Sequence, residues 1–331
     1  MIATLKRRQF ITLLGGGAAA WPFVARAQPG MPVVGFMHIL SPEREGADYA
    51  AKFRQGLKGT GFIEGQNVAV EYRWAQGHYD RLPGFAADLV RRKVDVIAAT
   101  GGEPSPQVAK AATQTIPIVF TSNGDPVRGG LVASLNRPGG NATGVTIFGA
   151  SAVTKRLQLL HDLLPQVAVF GFLMNPNHPS SNAEMTVAET AARSIGKAML
   201  VFSASSESEI EAAFANMAQQ QVGALIGGSD TYLSQRREQI VSLAAHYRIP
   251  AIYYVRAFAE DGGLMAYGNS VADMYLLVGN YVGRILKGEK PGDLPVQEST
   301  KFELVINLKT AKALGIEIPI SMQLLADEVI E

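Results

Sequence analysis

Val94-Asp95-Val96-Ile97-Ala98-Ala99-Thr100 and Ile116-Pro117-Ile118-Val119-Phe120-Thr121-Ser122 are apolar runs of strand length, joined by a helical pattern over Pro104–Thr113. The same unit returns as Val222-Gly223-Ala224-Leu225-Ile226, a helical stretch over Ser234–Tyr247, and Ile249-Pro250-Ala251-Ile252-Tyr253. Strands that are apolar throughout and separated by helices suit a parallel sheet covered on both faces. Meeting the unit twice predicts two lobes of like architecture.

Working outward, the alternation continues. Pro32–His38 and Val68–Trp74 read as strands, with helices over Glu45–Thr60, ended by Gly61, and Tyr79–Arg92. Asp125-Pro126 fits a cap followed by proline and predicts a helix towards Leu135. After Phe148 come helical patterns at Thr154–Leu164, Asn182–Ile195 and Glu207–Gln220, and strands at Val167–Met174 and Ala198–Phe202. Residues 264–331 hold one long helical pattern (Gly268–Lys287, ended by Gly288), an alternating run at Thr300–Asn307 and a short helix at Leu308–Leu314. That is too little for a third core. The expected class is α/β, two Rossmann-like lobes with parallel sheets and a hinge of several strands. Residues 28–145 plus 268–296 would form lobe I, and 146–267 plus 297–331 lobe II. Several crossings permit bending and limit twisting.

The 331 residues carry 30 Lys+Arg against 29 Asp+Glu, with 47% hydrophobic and 18% charged residues and no cysteine. Such a balance excludes a disordered tail, a coiled coil and a nucleic-acid binder that depends on basic excess. Without cysteine there is no disulfide, thiol nucleophile, cysteine-ligated zinc or lipidated cysteine. The charge is unevenly placed. Residues 1–27 carry Lys6, Arg7, Arg8 and Arg26 and no acid, and an apolar stretch from Phe10 to Val24 precedes Ala25-Arg26-Ala27. That is the plan of a cleaved export signal, and its twin arginines resemble a Tat signal. Cleavage before Gln28 would leave 304 residues with 26 basic and 29 acidic side chains. The expected location is the periplasm.

Gly61-Phe62-x-Glu64-Gly65-x-Asn67-Val68, Arg81-Leu82-Pro83, Gly124-Asp125-Pro126-Val127, Asn136-Arg137-Pro138-Gly139-Gly140-Asn141-x-Thr143-Gly144 and Lys301-Phe302-Glu303-Leu304-Val305-Ile306-Asn307 follow one another around these strands. The set resembles the periplasmic ABC-transporter substrate-binding proteins of the tryptophan/tyrosine-type uptake family. The resemblance implies a type I periplasmic binding fold that closes on a small solute and docks on a membrane permease with its ATPase. It implies no enzyme activity and no cofactor.

In open parallel sheets a ligand lies beyond the carboxyl ends of the strands. Those ends supply His38, Gly101, Gly102, Thr121, Ser122 and Asp125 in the first lobe, and Asn175, Ser229, Asp230 and Tyr254 in the second. Phe148 and Tyr267 sit at crossings, as a candidate floor. Each also has a plainer reading. Gly101-Gly102 makes a tight turn or exposes amides to a ligand. Ser122 satisfies loop backbone or meets a carboxylate. Asp125 and Asp230 cap helices or face an ammonium. Tyr254 and Tyr267 pack or offer a stacking surface. For an amino acid, Ser122 and nearby amides would take the carboxylate and Asp230 the ammonium. Tyr254, Tyr267 or Phe148 would take the side chain.

Other chemistry finds no footing. His38, His78, His161, His178 and His246 form no metal-pair spacing, and no phosphate loop or nucleophile elbow follows a predicted strand. The expected protein is a monomeric receptor for an amino acid or similar small organic molecule, aromatic ones among the candidates. Its rivals are a sensor subunit serving a membrane kinase and a periplasmic enzyme using Asp125 and Asp230 as an acid/base pair.

Overall fold

The computed structural model describes residues 30–331 except Arg44 and Phe148, so the export segment and the Phe148 candidate lie outside the described residues. The first part of the chain forms β1 (Val33–His38), α1 (Glu45–Gly59), β2 (Ala69–Trp74), α2 (Leu82–Arg91), β3 (Val96–Thr100), α3 (Pro104–Ala112), β4 (Ile118–Ser122) and β5 (Ala142–Thr146). The second part continues with α4 (Gly149–Leu163), β6 (Val169–Met174), α5 (Ser181–Ser194), β7 (Ala198–Ser203), α6 (Glu207–Gln219), β8 (Ala224–Gly227), α7 (Thr231–Gln235), α8 (Arg237–His246), β9 (Ala251–Tyr253), α9 (Ala257–Glu260) and β10 (Met265–Asn269). Last come α10 (Val271–Leu286), β11 (Gln297–Glu298), β12 (Phe302–Asn307), α11 (Leu308–Leu314), α12 (Ile320–Gln323) and β13 (Glu328–Ile330).

These strands make two sheets. The first runs β11-β5-β4-β3-β1-β2 and the second β13-β12-β10-β9-β8-β6-β7. All pairings are parallel except β10 with β12. Side-chain alternation explains the all-apolar runs. In the first sheet Phe36, Val96, Ala98 and Val119 point to α1 and α10, meeting Phe53 and Val278. Their neighbours Met37, Ile97, Ala99 and Phe120 point the other way, onto Leu82, Leu89 and Ala109. The second sheet repeats this, with Phe170, Phe172, Ala224 and Ile226 on one face and Leu173, Leu225 and Tyr253 on the other. The central strands are therefore buried on both sides, while the edge strands β2, β7, β11 and β13 stay partly exposed.

The chain passes between sheets after β5, between β10 and α10, and between β11 and β12. Asn269 Nδ2 donates to Ser299 O at 2.6 Å and Ser270 N to Lys301 O at 2.9 Å, tying these passages together. Thr146, Gly268, Asn269, Gln297 and Glu298 lie in the sheet opposite to the one their sequence ranges suggest, a shift of one or two residues. The lobe limits are set by where the strands end, which composition alone does not mark.

Two expected elements differ. The helix from Asp125 towards Leu135 is a turn over residues 126–130. Asp125 Oδ1 does accept from Val127 N and Arg128 N, but Gly129 and Gly130 follow, Gly130 at φ +70°. Leu131 and Val132 then go into the core from an irregular passage instead of a helix. The long pattern from Gly268 begins as the end of β10, and the helix starts only at Val271.

Candidate functional site

Carboxyl ends of the strands of both sheets converge on one narrow cavity of about 50 Å³. The first lobe contributes His38 from β1, Gly101 and Gly102 after β3, and Thr121 and Asn123 at β4. The second contributes Thr231 and Ser234 from α7, with Tyr254 and Val255 after β9. Helices that begin at these sheet edges add a first-turn wall: Tyr49 on α1, and Val271, Met274 and Tyr275 on α10. The last three occupy positions i, i+3 and i+4, one face of a helix.

The polar groups of this cavity are held from behind. Gly101 and Gly102 have φ of +89° and +103°. A Cβ on Gly101 would lie 2.8 Å from Ile39 Cγ2 and 2.9 Å from His38 Nδ1, so only glycine fits that turn. Gly101 N donates to Thr121 Oγ1 at 3.1 Å, and Gly101 O accepts from Thr231 Oγ1 at 2.8 Å. His38 is fully buried and accepts from Leu40 N at Nδ1, 2.8 Å. Its proton is therefore on Nε2, which donates to the Tyr275 hydroxyl at 2.5 Å. Burial disfavours the imidazolium and pushes the His38 pKa down to about 3, so the ring is neutral. Tyr49 and Tyr275 stack parallel, with centroids 4.7 Å apart and 2° between planes. Together with Tyr254 they give the cavity an aromatic side.

Of the twelve candidates, His38, Gly101, Gly102, Thr121 and Tyr254 line this cavity. Ser122 is buried off its wall and serves its own loop, donating to Gly124 O and accepting from Gly124 N at 3.2 Å. Ser229 accepts from the buried Arg156 and donates its N–H to Glu184 at 2.9 Å. Tyr267 is turned into the second lobe, stacked on Phe302 at 5.4 Å, and is no part of the cavity floor. Asp230 already has three partners within the protein. It caps α7 through Leu233 N (2.8 Å), accepts from Asn175 Nδ2 (3.2 Å), and accepts from Tyr79 Oη (2.7 Å). Asn175 is thus spent on Asp230. Strand ends locate these residues but do not say whether each side chain turns to the cavity or back to its own loop.

Asn123 lies in the Thr121–Asp125 stretch that the strand-end reading covers, whereas Tyr49, Thr231, Ser234 and Tyr275 were not among the candidates. The signal that finds them is the first turn of each helix that follows a cleft-facing strand, read at helical spacing.

Several bonds cross directly from lobe to lobe: Tyr79 to Asp230, Thr231 to Gly101, Gln235 Nε2 to Ile39 O at 3.2 Å, and Ser180 Oγ to the Glu103 carboxylate. The lobes are closed on each other. Beyond Asn123 a second interlobe cavity, about 1000 Å³ with its open mouth, is lined by Glu103, Gln107, Asn123, Asp125, Ser180 and Glu184 among others. Behind it Arg156, wholly buried, donates to Gly227 O (2.6 Å) and Ser229 Oγ (3.0 Å), and the charge of Glu184 acts on it. A two-lobed clamp of this kind can enclose a small solute and hold it from both sides.

Comparison with known proteins agrees with that geometry. A tyrosine-binding protein of Clostridioides difficile (strain R20291) is 28% identical over 276 residues, 83% of this chain and 79% of that protein. A conserved domain protein from Vibrio cholerae has a TM-score of 0.84 at 27% identity, covering 90% of this chain and 99% of that one. An ABC domain from Streptococcus pneumonia in complex with L-Trp gives 0.83 at 26% identity, with the same coverage. Residues 43–330 match the family model described as ABC transporter substrate binding protein. The chain belongs to the ABC-transporter substrate-binding protein family and has its two-lobed type I periplasmic binding fold.

Proposed function

We propose that this solute receptor captures an aromatic amino acid between its lobes and delivers it to the permease of an ABC importer. The observation that carries the ligand class is the cavity wall formed by Tyr49, Tyr275 and Tyr254 with the amide-rich turn Gly101-Gly102 opposite the hydroxyl of Thr231. Aromatic rings give a side chain apolar area and stacking geometry, and the turn with the Thr121 and Thr231 hydroxyls gives its polar end a polar surround. The names of relatives, one tyrosine-binding and one crystallised with L-Trp, support the same class.

In this reading His38, Gly101, Gly102, Thr121, Asn123, Thr231 and Tyr254 contact the solute, and Tyr49 and Tyr275 stack its ring. The protein works as a monomer and without turnover: closing favours the bound state because only that state touches the solute from both lobes. The basic and apolar start of the chain, ending in Ala25-Arg26-Ala27, supports export to the periplasm by a cleaved signal of Tat type. Among the described residues no helix is long and apolar enough to cross a membrane.

Native mass spectrometry of protein purified from the periplasm tests this. The expected spectrum holds one retained solute per chain, with the mass of tyrosine or tryptophan. A retained sugar or nucleoside would contradict the ligand class.

A further inference from the structure

With Asp230 committed to Leu233, Asn175 and Tyr79, the solute's ammonium needs another acid. Glu103 is only 5% exposed and follows directly on Gly101-Gly102. Its carboxylate lines the second interlobe cavity, where its side-chain partner is the Ser180 hydroxyl. No described basic side chain forms an ion pair with it, and Arg128 of the same cavity is exposed. A carboxylate taken this far out of water without a cation is costly. Glu184 stands on the opposite lobe, one helical turn beyond Ser180, and is 2% exposed. Its Oε2 accepts from Ser229 N, while its buried Oε1 has no hydrogen-bond partner. The charge of Glu184 acts on Arg156 behind it.

We infer that Glu103 is the counter-charge for the solute's ammonium, with Glu184 Oε1 accepting a second of its N–H bonds from the other lobe. The inference rests on the amino-acid reading of the site. It fixes the solute's direction: ring against Tyr49 and Tyr275, amino group past Asn123, which borders both cavities. An ammonium has three donors and can serve acceptors on both lobes at once. The open state would leave it one of them, so the charge itself favours closure. Gly124 keeps room for this meeting, since a Cβ there would collide with Ser180 Oγ and lie 2.8 Å from both Glu103 carboxylate oxygens. Solutes without a cationic amine would be rejected because Glu103 would stay buried and unpaired.

The test is isothermal titration with L-tyrosine and with 3-(4-hydroxyphenyl)propionate, its deaminated analogue, on the full chain. Wild type should prefer L-tyrosine by at least about 100-fold. Glu103→Gln should weaken L-tyrosine by at least about 30-fold and, by removing the unpaired charge, bind the analogue at least as well as wild type does. Glu184→Gln should show the same selectivity with a smaller loss. Ser180→Ala, which removes the interlobe bond and keeps the carboxylate, should lower both ligands alike. A folded Glu103→Gln protein that binds L-tyrosine like wild type, or loses both ligands equally, overturns the assignment while leaving the receptor reading intact. Wild type that binds neither ligand overturns the amino-acid reading, and this inference with it.

Discussion

The Tyr79 hydroxyl of the first lobe donates to Asp230 Oδ2 of the second at 2.7 Å. Burial and the neighbouring Asp230 charge raise the Tyr79 pKa well above its ordinary value, so the phenol remains a donor at any working pH. In an open receptor both groups would face water instead. Tyr79→Phe should therefore favour the open state by about 1.5–3 kcal/mol, the worth of a hydrogen bond to a charged group. The expected result is an apparent Kd raised about 10-fold or more for every ligand alike, with a larger radius of gyration for the unliganded protein in solution scattering. An unchanged Kd would mean that this bond does not hold the seam.

Gly124 tests the same seam sterically. Gly124→Val places methyl groups against Ser180 Oγ of the opposite lobe, a clash that exists only when the lobes are together, and against the movable carboxylate end of Glu103 on its own lobe. The expected cost is about 1–3 kcal/mol of closure, seen as weaker binding. The melting temperature of the unliganded protein should hardly move. A melting point lowered as much as affinity would place the clash within a lobe instead.

His38 makes stability depend on pH in a defined direction. The unfolded chain protonates this histidine near 6.5, whereas the folded protein keeps it neutral down to about 3. Between those values the unfolded state binds the extra proton, so stability falls as pH falls. The contribution is at most about 1.4 kcal/mol per pH unit, and it vanishes above pH 6.5. His38→Asn keeps an acceptor for Leu40 N and should flatten the slope between pH 6.5 and 4.5 in urea unfolding. Parallel slopes for variant and wild type would refute the neutral, buried imidazole.

Arg156 is the second lobe's internal cation, fully buried against Gly227 O and Ser229 Oγ. Arg156→Ala leaves Glu184 buried without its compensating charge and should cost about 3–5 kcal/mol of stability. Adding Glu184→Gln should recover part of that loss. If the double variant is no more stable than the single one, the two groups are not coupled.

Much of the fold was legible because strands buried on both faces write themselves as unbroken apolar runs. Val94–Thr100 and Ile116–Ser122 became β3 and β4, and Val222–Ile226 with Ile249–Tyr253 became β8 and β9. The turn after Asp125 was not legible, because a cap and a proline announce a helix that Gly129-Gly130 then prevents. The site was half legible. Strand-end position found His38, Gly101, Gly102, Thr121 and Tyr254, yet Ser122, Ser229 and Asp230 at equivalent positions turn back to satisfy backbone or neighbouring polar groups. Direction of a side chain depends on local hydrogen bonds that a single sequence does not display. Tyr49 and Tyr275 were passed over because they read as helix interior, though a helix that starts at the cleft exposes its first turn there.

The proposed role of the cavity between the lobes is to bind an aromatic amino acid without transforming it. Protein unfolded to strip any retained solute, refolded, and titrated calorimetrically with L-tyrosine and L-tryptophan measures this directly. The expected result is saturable binding of at least one of them at one site per chain, with the amino acid recovered unchanged. No heat with either at millimolar concentration, or recovery of a chemically altered product, would contradict it.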